Sequence, residues 1–457
     1  AAGSGLGPGP ELAPAAMTAV FSVIPPIPDV ERAGREMHAF VADLFPICRS
    51  LTGPGVRETL QRIADHIPLE LREIPSGTTL LDWTAPPEWT IREAWIKGPD
   101  GRRVVDFRES NLHVVGYSVP VHQRMPLEAL QSHLHSLPEH PDWIPYRTSY
   151  YGNTWGFCLP HRVREALPVG EYEIFIDSTL DDNGSLTYGE LVLPGTCADE
   201  VLFSAHVCHP SLANDNLSGI ALAMFLARQL QTIDHRLTYR FLFAPGTLGS
   251  IAWLAQNPEK TDRIRHGLVL SCVGDSGGFT YKGTVQGSAP VDRAVAHVLR
   301  HESAQHRLLD FSPYGYDERQ YNSPGFRMPV GCLMRAMYGT FPEYHTSADN
   351  LEFVRPEALA ESLEVVLGIV DVLENDRRFR NLSPHGEPQL GRRGLYDWLG
   401  GQNDRATAQL ALLWVLNLSD GDSSLLDIAD RAALPFATIR DAAAALIEKD
   451  LLTEAMQ

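Results

Sequence analysis

The most constraining feature of the chain is the alternation of strand-like and helical runs that begins at Glu171. Short apolar runs, such as EYEIFID, DEVLFSAHV and LTYRFLFAP, are separated by longer runs with helical spacing, such as LSGIALAMFLARQLQ and VDRAVAHVLRHES. This alternation is typical of a sheet covered by helices, because each helix must bury its apolar stripe against the sheet. We therefore predict an α/β fold in which a mixed sheet is flanked by helices.

Two other segments differ from this core. Residues 79–165 carry short apolar runs rich in Trp, Tyr and Val, separated by Pro and Gly, and they predict a small inserted β domain. Residues 390–457 contain a helix, a tight turn and a second helix, which is the pattern of a winged helix. The core is then expected at 17–78 and 166–382. We expect the first sixteen residues to be a disordered leader ahead of Met17.

Composition narrows the class of protein. With 457 residues, of which 44% are hydrophobic, the chain can form two or three domains. It has no uninterrupted apolar run of about 18 residues, so we expect no membrane-spanning helix. The six cysteines form no C-x-x-C pair, which favours reduced thiols and a cytoplasmic location.

The charge argues against a nucleic-acid partner. The whole chain has a formal net charge of −19, and residues 390–457 carry six basic against ten acidic residues, a net of −4. A DNA-binding module should instead present a basic face. We therefore expect the winged helix to serve packing or dimerisation, and the sequence is compatible with a homo-oligomer.

Four polar residues follow strands or precede a helix at equivalent places in the core pattern. These are His206, Asp215, Asp275 and His345. Taken singly, such residues are usually polar loop residues or helix N-caps. Together they indicate a metal site, because imidazole and carboxylate are ordinary zinc ligands and strand ends converge at one crevice.

The segments around these residues resemble those of a known family. HPSLANDNLSG, the strand-ending VGD and YHTSADN are similar to the metal-binding segments of zinc aminopeptidases with a co-catalytic dinuclear site. The resemblance is closer still to a bacterial aminopeptidase-like branch found with polysaccharide and secondary-metabolite genes. In that branch an insert with DWTAPPEWTIREAWI and YRTSYYGNTWGFCLP precedes the core, DERQYNSPGF lies before the last ligand, and a winged helix ends the chain. The similarity covers the chain from about Val30 to Leu452.

The resemblance implies a set of roles. His206 and Asp275 would hold one zinc ion, His345 would hold the other, and Asp215 would bridge them. Two ions roughly 3.5–4 Å apart can polarise a scissile carbonyl and deliver a hydroxide. A further carboxylate must then move the proton. In the branch that this chain resembles, the loop after the YRFLF strand typically reads Pro-Glu-Thr, and that glutamate would fall at Gly246.

Gly246 can neither carry a proton nor bind a metal. The sequence therefore leaves open whether the site holds one zinc ion or two. Three explanations for the glycine compete: engineered inactivation, natural divergence in which other groups carry out the chemistry, and a protein that binds its ligand without turnover. We favour natural divergence. His209, Cys208 and Glu343 are the nearby candidates for a replacement. Adjacent residues on an extended segment point in opposite directions. We therefore expect Cys208 in the core and keep His209 and Glu343 as catalytic candidates.

Five further residues are candidates for substrate binding. Asp317 and Arg319 in YDERQY form either a charged loop with internal pairing or part of the pocket, where Arg319 could hold a substrate carboxylate. Tyr150, Tyr151 and Trp155 are by default core residues of the β domain. They are also candidates for a cleft wall, because sites tend to lie between domains.

These observations predict a metal-dependent, aminopeptidase-like hydrolase that acts on an amide or a peptide-like small molecule, in polysaccharide or secondary-metabolite biosynthesis. The runner-up is an altered or inactive aminopeptidase fold that performs transfer, cyclisation or ligand binding. A remoter alternative is a ligand-sensing regulator that binds DNA. The partners expected are the small substrate and zinc, with no nucleic acid and no membrane.

Overall fold

The computed structural model describes residues 21–149, 152–303, 305–395 and 402–455. The expected leader therefore lies outside the described residues. The chain divides into two compact units. The larger comprises Pro26–Leu367, and the smaller combines the residues before it with Gly368–Gln457.

The helices follow one another in chain order as α1 (Val30–Leu44), α2 (Pro54–Ala64), α3 (Leu127–Leu130), α4 (His161–Glu165), α5 (Gly219–Leu230), α6 (Leu248–Gln256), α7 (Pro290–Glu302), α8 (Glu318–Tyr321), α9 (Pro356–Asn375), α10 (Gln402–Leu418), α11 (Leu425–Ala432) and α12 (Phe436–Glu448).

The strands are β1 (Glu70–Pro75), β2 (Thr79–Leu80), β3 (Trp83–Thr84), β4 (Glu88–Lys97), β5 (Arg103–Asp106), β6 (Val121–Pro126), β7 (Leu134–His135), β8 (Phe157–Cys158), β9 (Glu171–Asp181), β10 (Ser185–Leu193), β11 (Glu200–His206), β12 (Thr238–Ala244), β13 (Ile264–Leu270), β14 (Phe279–Lys282), β15 (His306–Leu309), β16 (Val330–Met334), β17 (Arg378–Asn381), β18 (Asp420–Ser424) and β19 (Leu452–Glu454).

The larger unit is built on a mixed sheet that confirms the predicted fold class. Within the described residues it has eight strands in the order β1-β10-β12-β11-β13-β16-β14-β15. The four central strands, β12, β11, β13 and β16, are parallel, and β10 and β14 pair antiparallel on either side of them. Every residue of β11, β12 and β16 is buried, as expected for strands covered on both faces. Their carboxyl ends meet at one edge, where α/β enzymes place their sites.

The inserted domain extends further than the sequence predicted. It has a four-stranded antiparallel sheet in the order β5-β4-β9-β6, so β9 belongs to the insert although we assigned the chain from 166 onward to the core. The reason lies in its pattern: buried residues alternate along the first part of β9, whereas β11, β12 and β16 are buried throughout. Tyr172, Ile174 and Ile176 pack into the hydrophobic core of the insert.

The smaller unit contains the predicted pair of helices. The side chain of Ser424 caps α11 by accepting from the N–H of Asp427, and Asp427 bonds back to the N–H of Ser424. Ala433 has a φ of 52°, and this left-handed residue ends α11 before α12 begins. Strands β17, β18 and β19 form a three-stranded sheet with β17 in the centre. The unit therefore needs a strand that precedes residue 390, where we predicted the winged helix to begin.

Two composition-based expectations can be compared with the structure. All six cysteines are described, and none of them forms a disulfide, which agrees with reduced thiols. None of the helices in the described part of the chain combines the length and the apolar character needed to cross a lipid bilayer.

A buried ionic network joins three neighbouring strands of the main sheet. Arg240 on β12 donates from Nε to Glu200 Oε2 on β11 at 2.7 Å and also pairs with Glu190 on β10. Trp253 Nε1 on α6 donates to Glu190 Oε1 at 2.8 Å. These four side chains are almost inaccessible to solvent. One guanidinium therefore compensates two buried carboxylates.

We predict that Arg240→Met lowers the free energy of unfolding of the larger unit by about 3–5 kcal/mol, because it leaves two buried carboxylates without their cation. Arg265→Met is the control, since Arg265 forms an exposed pair with Asp199 at 3.4 Å, and it should change the stability by no more than about 1 kcal/mol. Urea unfolding followed by tryptophan fluorescence measures both. Equal stability of the two variants would contradict the prediction.

Candidate metal centre

Three loops bring four of the predicted residues to the carboxyl edge of the main sheet. His206 is the last residue of β11, and His209 follows in the next loop. Asp215 lies in an irregular helical turn, Ala213–Ser218, directly before α5. His345 lies in the loop that follows β16 and has a φ of 57°, in the left-handed region that a histidine rarely adopts.

The carboxylate of Asp215 is the centre of this group. Its Oδ1 lies 2.9 Å from Nε2 of His206, and its Oδ2 lies 3.0 Å from Nε2 of His345 and 3.9 Å from Nε2 of His209. The ligand atoms of His206, His209 and Asp215 all lie within 4.8 Å of one another. These three residues are buried, while the side chain of His345 is 34% exposed. The arrangement is a compact donor set with one more solvent-accessible imidazole.

The protonation of this group suits a cation. Burial holds the pKa of His209 well below its ordinary value, so its ring is neutral near pH 7, as a metal ligand must be. Burial alone raises the pKa of Asp215, but the imidazoles of His209, His206 and His345 hold it well below its ordinary value. Asp215 is therefore ionised.

These residues fit a single zinc ion. Two imidazoles and a carboxylate are the donors of many zinc sites that keep a further position for water or substrate. Nε2 of His345 is buried and has no hydrogen-bond partner among the described residues, although it lies beside Asp215. An ion held by Asp215 would give this nitrogen a partner. The residues that would hold zinc are therefore His206, His209 and Asp215, with His345 next to them.

Asp275, which the resemblance implies as a zinc ligand, has a carboxylate that is hydrogen-bonded to three neighbouring groups. Its Oδ2 accepts from Nδ2 of Asn214 at 2.9 Å and from the N–H of Ala336 at 3.2 Å, and its Oδ1 accepts from the N–H of Gly277 at 2.7 Å. These bonds occupy the carboxylate in fixing the loop beside Asp215. In the described part of the chain, the compact cluster of donor atoms contains His209 and not Asp275.

Two tyrosines that the sequence reading did not single out complete the surroundings of Asp215. The hydroxyl of Tyr316 donates to Asp215 Oδ2 at 2.7 Å and lies 2.7 Å from the hydroxyl of Tyr344. The ring of Tyr316 stacks on His206, and the ring of Tyr344 stacks on His345 with centroids 3.9 Å apart. Burial raises the pKa of Tyr316 well above its ordinary value, so its hydroxyl keeps its proton. Tyr316 is the first residue of YDERQY and Tyr344 the first residue of YHTSADN, and their place in these segments was the available signal.

Asp349, also missed, fixes the turn that carries Asp215. Its two oxygens accept from the N–H of Asn214 at 2.6 Å and from the N–H of Asp215 at 2.9 Å. Burial raises the pKa of Asp349 to about 8, although these two amide donors oppose the rise. The aspartate of the SADN motif thus ties the loop of His345 to the turn of Asp215.

The structure gives a spatial reason for glycine at position 246. Gly246 lies just after β12, and a Cβ built there would be 3.1 Å from Cβ of His206 and 3.7 Å from Oδ1 of Asp317. The first distance is tighter than almost all real Cβ contacts. A side chain at this position would therefore press on a metal ligand.

Asp317 is the carboxylate next to Gly246. It is fully buried, its Oδ1 accepts from Oγ of Ser250 at 2.8 Å, and its Oδ2 has no partner among the described residues. Burial raises the pKa of Asp317 to about 6, against the lowering influence of His206 and Ser250. A buried carboxyl group whose pKa is raised toward neutral pH thus lies beside the position of the expected glutamate.

The other sequence candidates have different surroundings. Nε of Arg319 is buried and has no hydrogen bond within the described residues, while Glu343 is partly exposed on the loop of His345. Cys208 is buried, as expected, with its Sγ 3.4 Å from Nδ1 of His209. Trp155 stacks on His133 and packs on the core of the insert, which is the default reading. The predicted cleft residues Tyr150 and Tyr151 lie outside the described residues.

We predict that Gly246→Ala weakens zinc binding by about 10-fold, because the new methyl group displaces His206 and second-sphere changes of this kind cost about 10–100-fold in metal affinity. Gly325→Ala is the matched control, since a Cβ there would meet no atom within 4 Å. Competition with a chromophoric chelator measures both dissociation constants. An unchanged constant in Gly246→Ala would show that the contact with His206 is relieved without moving the ligand.

Comparisons with known proteins agree with this architecture. The family described as "Domain of unknown function (DUF4910)" matches residues 38–376, and a winged helix-turn-helix family matches residues 377–454, which includes β17. A Clostridium acetobutylicum protein, provisionally named as a polysaccharide biosynthesis protein with an aminopeptidase-like domain, is 48% identical over 426 residues. The match covers 93% of this chain and 98% of that protein.

Two solved structures are similar as well. The crystal structure of a C. acetobutylicum protein, provisionally named as a peptidase, has a TM-score of 0.89 at 46% identity and covers 93% of this chain and 97% of that chain. The zinc aminopeptidase BSAP from Bacillus subtilis has a TM-score of 0.56 at 14% identity, covering 75% and 94%, and shows likeness of fold alone. The chain therefore belongs to the DUF4910 family and combines an aminopeptidase-like α/β fold with a C-terminal winged helix.

Proposed function

We propose that this chain is a zinc-dependent amide hydrolase with a single-ion site, acting on a peptide-like small molecule. The observation that carries the proposal is the buried donor set of His206, His209 and Asp215, with Nε2 of His345 3.0 Å from Oδ2 of Asp215. Zinc bound there would polarise a carbonyl oxygen and lower the pKa of a water molecule. The fold of zinc aminopeptidases supports the same chemistry.

The chain's own residues then have distinct tasks. Asp215 stays ionised among three imidazoles, and the hydroxyl of Tyr316 orients its Oδ2. We assign proton transfer to Oδ2 of Asp317, which lacks a partner in the described structure and lies beside Gly246. This assignment replaces our earlier candidates, because His209 joins the donor set and Glu343 lies on the partly exposed loop of His345.

We propose the biological role from the name of the C. acetobutylicum relative, and the cellular location from the composition of the chain. The name of the C. acetobutylicum protein favours a role in polysaccharide biosynthesis, where the substrate would be an amide of a small building block. Six cysteines without a disulfide favour a reducing compartment such as the cytoplasm. The net charge of −4 over residues 390–457 disfavours nucleic acid as a partner of the winged helix.

The first prediction concerns stoichiometry. Protein purified without a chelator should contain about one zinc ion per chain, and Asp215→Asn should lose it, because the change removes the central anionic ligand. His122→Ala is the control, since His122 is 66% exposed in the insert, and it should keep the ion. Elemental analysis measures all three proteins. About two ions per chain would contradict the single-ion site, and none would contradict the metal proposal.

The second prediction concerns proton transfer. Asp317→Asn should lower kcat/KM for amide hydrolysis by about 10²–10⁴-fold at unchanged zinc content, because the amide cannot exchange a proton. The control, Asp310→Asn, changes an exposed aspartate and should leave the rate unaltered. A screen of amino-acid anilides and N-acylated amino sugars supplies the substrate. A fully active Asp317→Asn would refute the assignment, and a zinc-loaded wild type that binds but never cleaves these amides would favour the non-hydrolytic alternative.

A further inference from the structure

We infer that the inserted β domain is part of the metal site: its segment 144–146 holds the three ligand loops in place, and Tyr146 is the positioning residue. The inference rests on the proposed zinc site and adds a role for the insert, which carries no residue of the donor set.

The first observation is a main-chain clamp on the loop of His345. The N–H of Tyr146 donates to the carbonyl of His345 at 2.7 Å, and the N–H of Ser347 donates to the carbonyl of Ile144 at 2.8 Å. The N–H of Ile144 also donates to Oγ of Ser347 at 2.9 Å, and the residue pair between them forms an antiparallel bridge. His345 has a left-handed backbone that is unfavourable for a histidine. The clamp fixes this conformation at the ligand itself.

The second observation is the position of the Tyr146 side chain. Its ring centroid lies 5.0 Å from that of His209 and 5.1 Å from that of His345, with the latter pair edge to face. Tyr146 also belongs to a small buried cluster with Leu112 of the insert and Leu212, three residues before Asp215. One side chain therefore contacts the segments that carry His209, Asp215 and His345.

The third observation is a separate tether between the insert and the loop from His209 to Asp215. Nδ2 of Asn111 donates to Oγ of Ser211 and to the carbonyl of Pro46, both at 2.9 Å. Nε of the buried Arg49 donates to the carbonyl of His209, also at 2.9 Å. The loop is thus held by the insert and by the segment that follows α1.

The physical consequence concerns metal affinity. Ligands carried on loops lose conformational entropy when they bind an ion, and contacts that order the loops beforehand reduce that loss. Outer-sphere partners of metal ligands typically change metal affinity by about 10–100-fold. Because the insert packs against the imidazoles of His209 and His345, we expect it to change the zinc affinity by about this factor without contacting the ion.

The test measures zinc dissociation constants of the metal-free full chain by competition with a chelator, together with the melting temperature of the metal-free protein. Tyr146→Ala should weaken zinc binding by about 10–100-fold. Tyr146→Phe keeps the ring and should bind zinc nearly as tightly as the wild type. Trp143→Ala is the matched control. Trp143 directly precedes the segment 144–146, and its ring stacks on that of His140. The zinc affinity of this variant should equal that of the wild type.

The outcomes are separable. A weakened Tyr146→Ala, a restored Tyr146→Phe and equal metal-free melting temperatures for Tyr146→Ala and Trp143→Ala support the inference. Wild-type affinity in Tyr146→Ala overturns it while the proposed function stands, whereas a wild type that binds no zinc overturns both. If Tyr146→Ala does not fold, Ser347→Ala decides, since it removes one side-chain acceptor of the clamp. Weakening of about 2- to 10-fold supports the inference, and no change overturns it.

Discussion

The site depends on one buried charge. The carboxylate of Asp215 is fully buried, and an ionised group in such a place must be compensated by opposite charge and hydrogen bonds. Three imidazoles and the hydroxyl of Tyr316 surround it, and the backbone that carries it is fixed by Asp349. A cation at this point would compensate the charge further. The requirement explains why loops that are far apart in sequence converge on this side chain.

Close packing around the same group limits what the adjoining loop can carry. Gly246 passes so near His206 that a Cβ would crowd the ligand, and the neighbouring carboxylate comes instead from Asp317, just before α8. In the proposed function, Asp317 supplies the acid in place of a glutamate after β12, so the acid projects from a different element. The proposed hydrolytic mechanism depends on the carboxylate of Asp317, which comes from the loop before α8 and not from the loop after β12.

The insert and the core share the task of ordering the site. The insert has its own sheet and hydrophobic core, yet its segment 144–146 pairs with the loop of His345 and packs against His209. The core supplies the ligands from strand ends, and the insert restrains the loops on which two of them lie. Removing either contribution would leave imidazoles with several accessible orientations, which lowers the affinity for an ion.

The sequence by itself determined the α/β class, the helix pair of the winged helix and the positions of His206, Asp215 and His345, because these follow from local periodicity and from residues at strand ends. Tertiary structure decided the rest. The grouping of His209 with His206 and Asp215, the pairing of β9 with the insert and the contact of Tyr146 with two histidines all depend on the paths of loops between residues far apart in the chain. Those paths are set by packing and hydrogen bonds that no local pattern records.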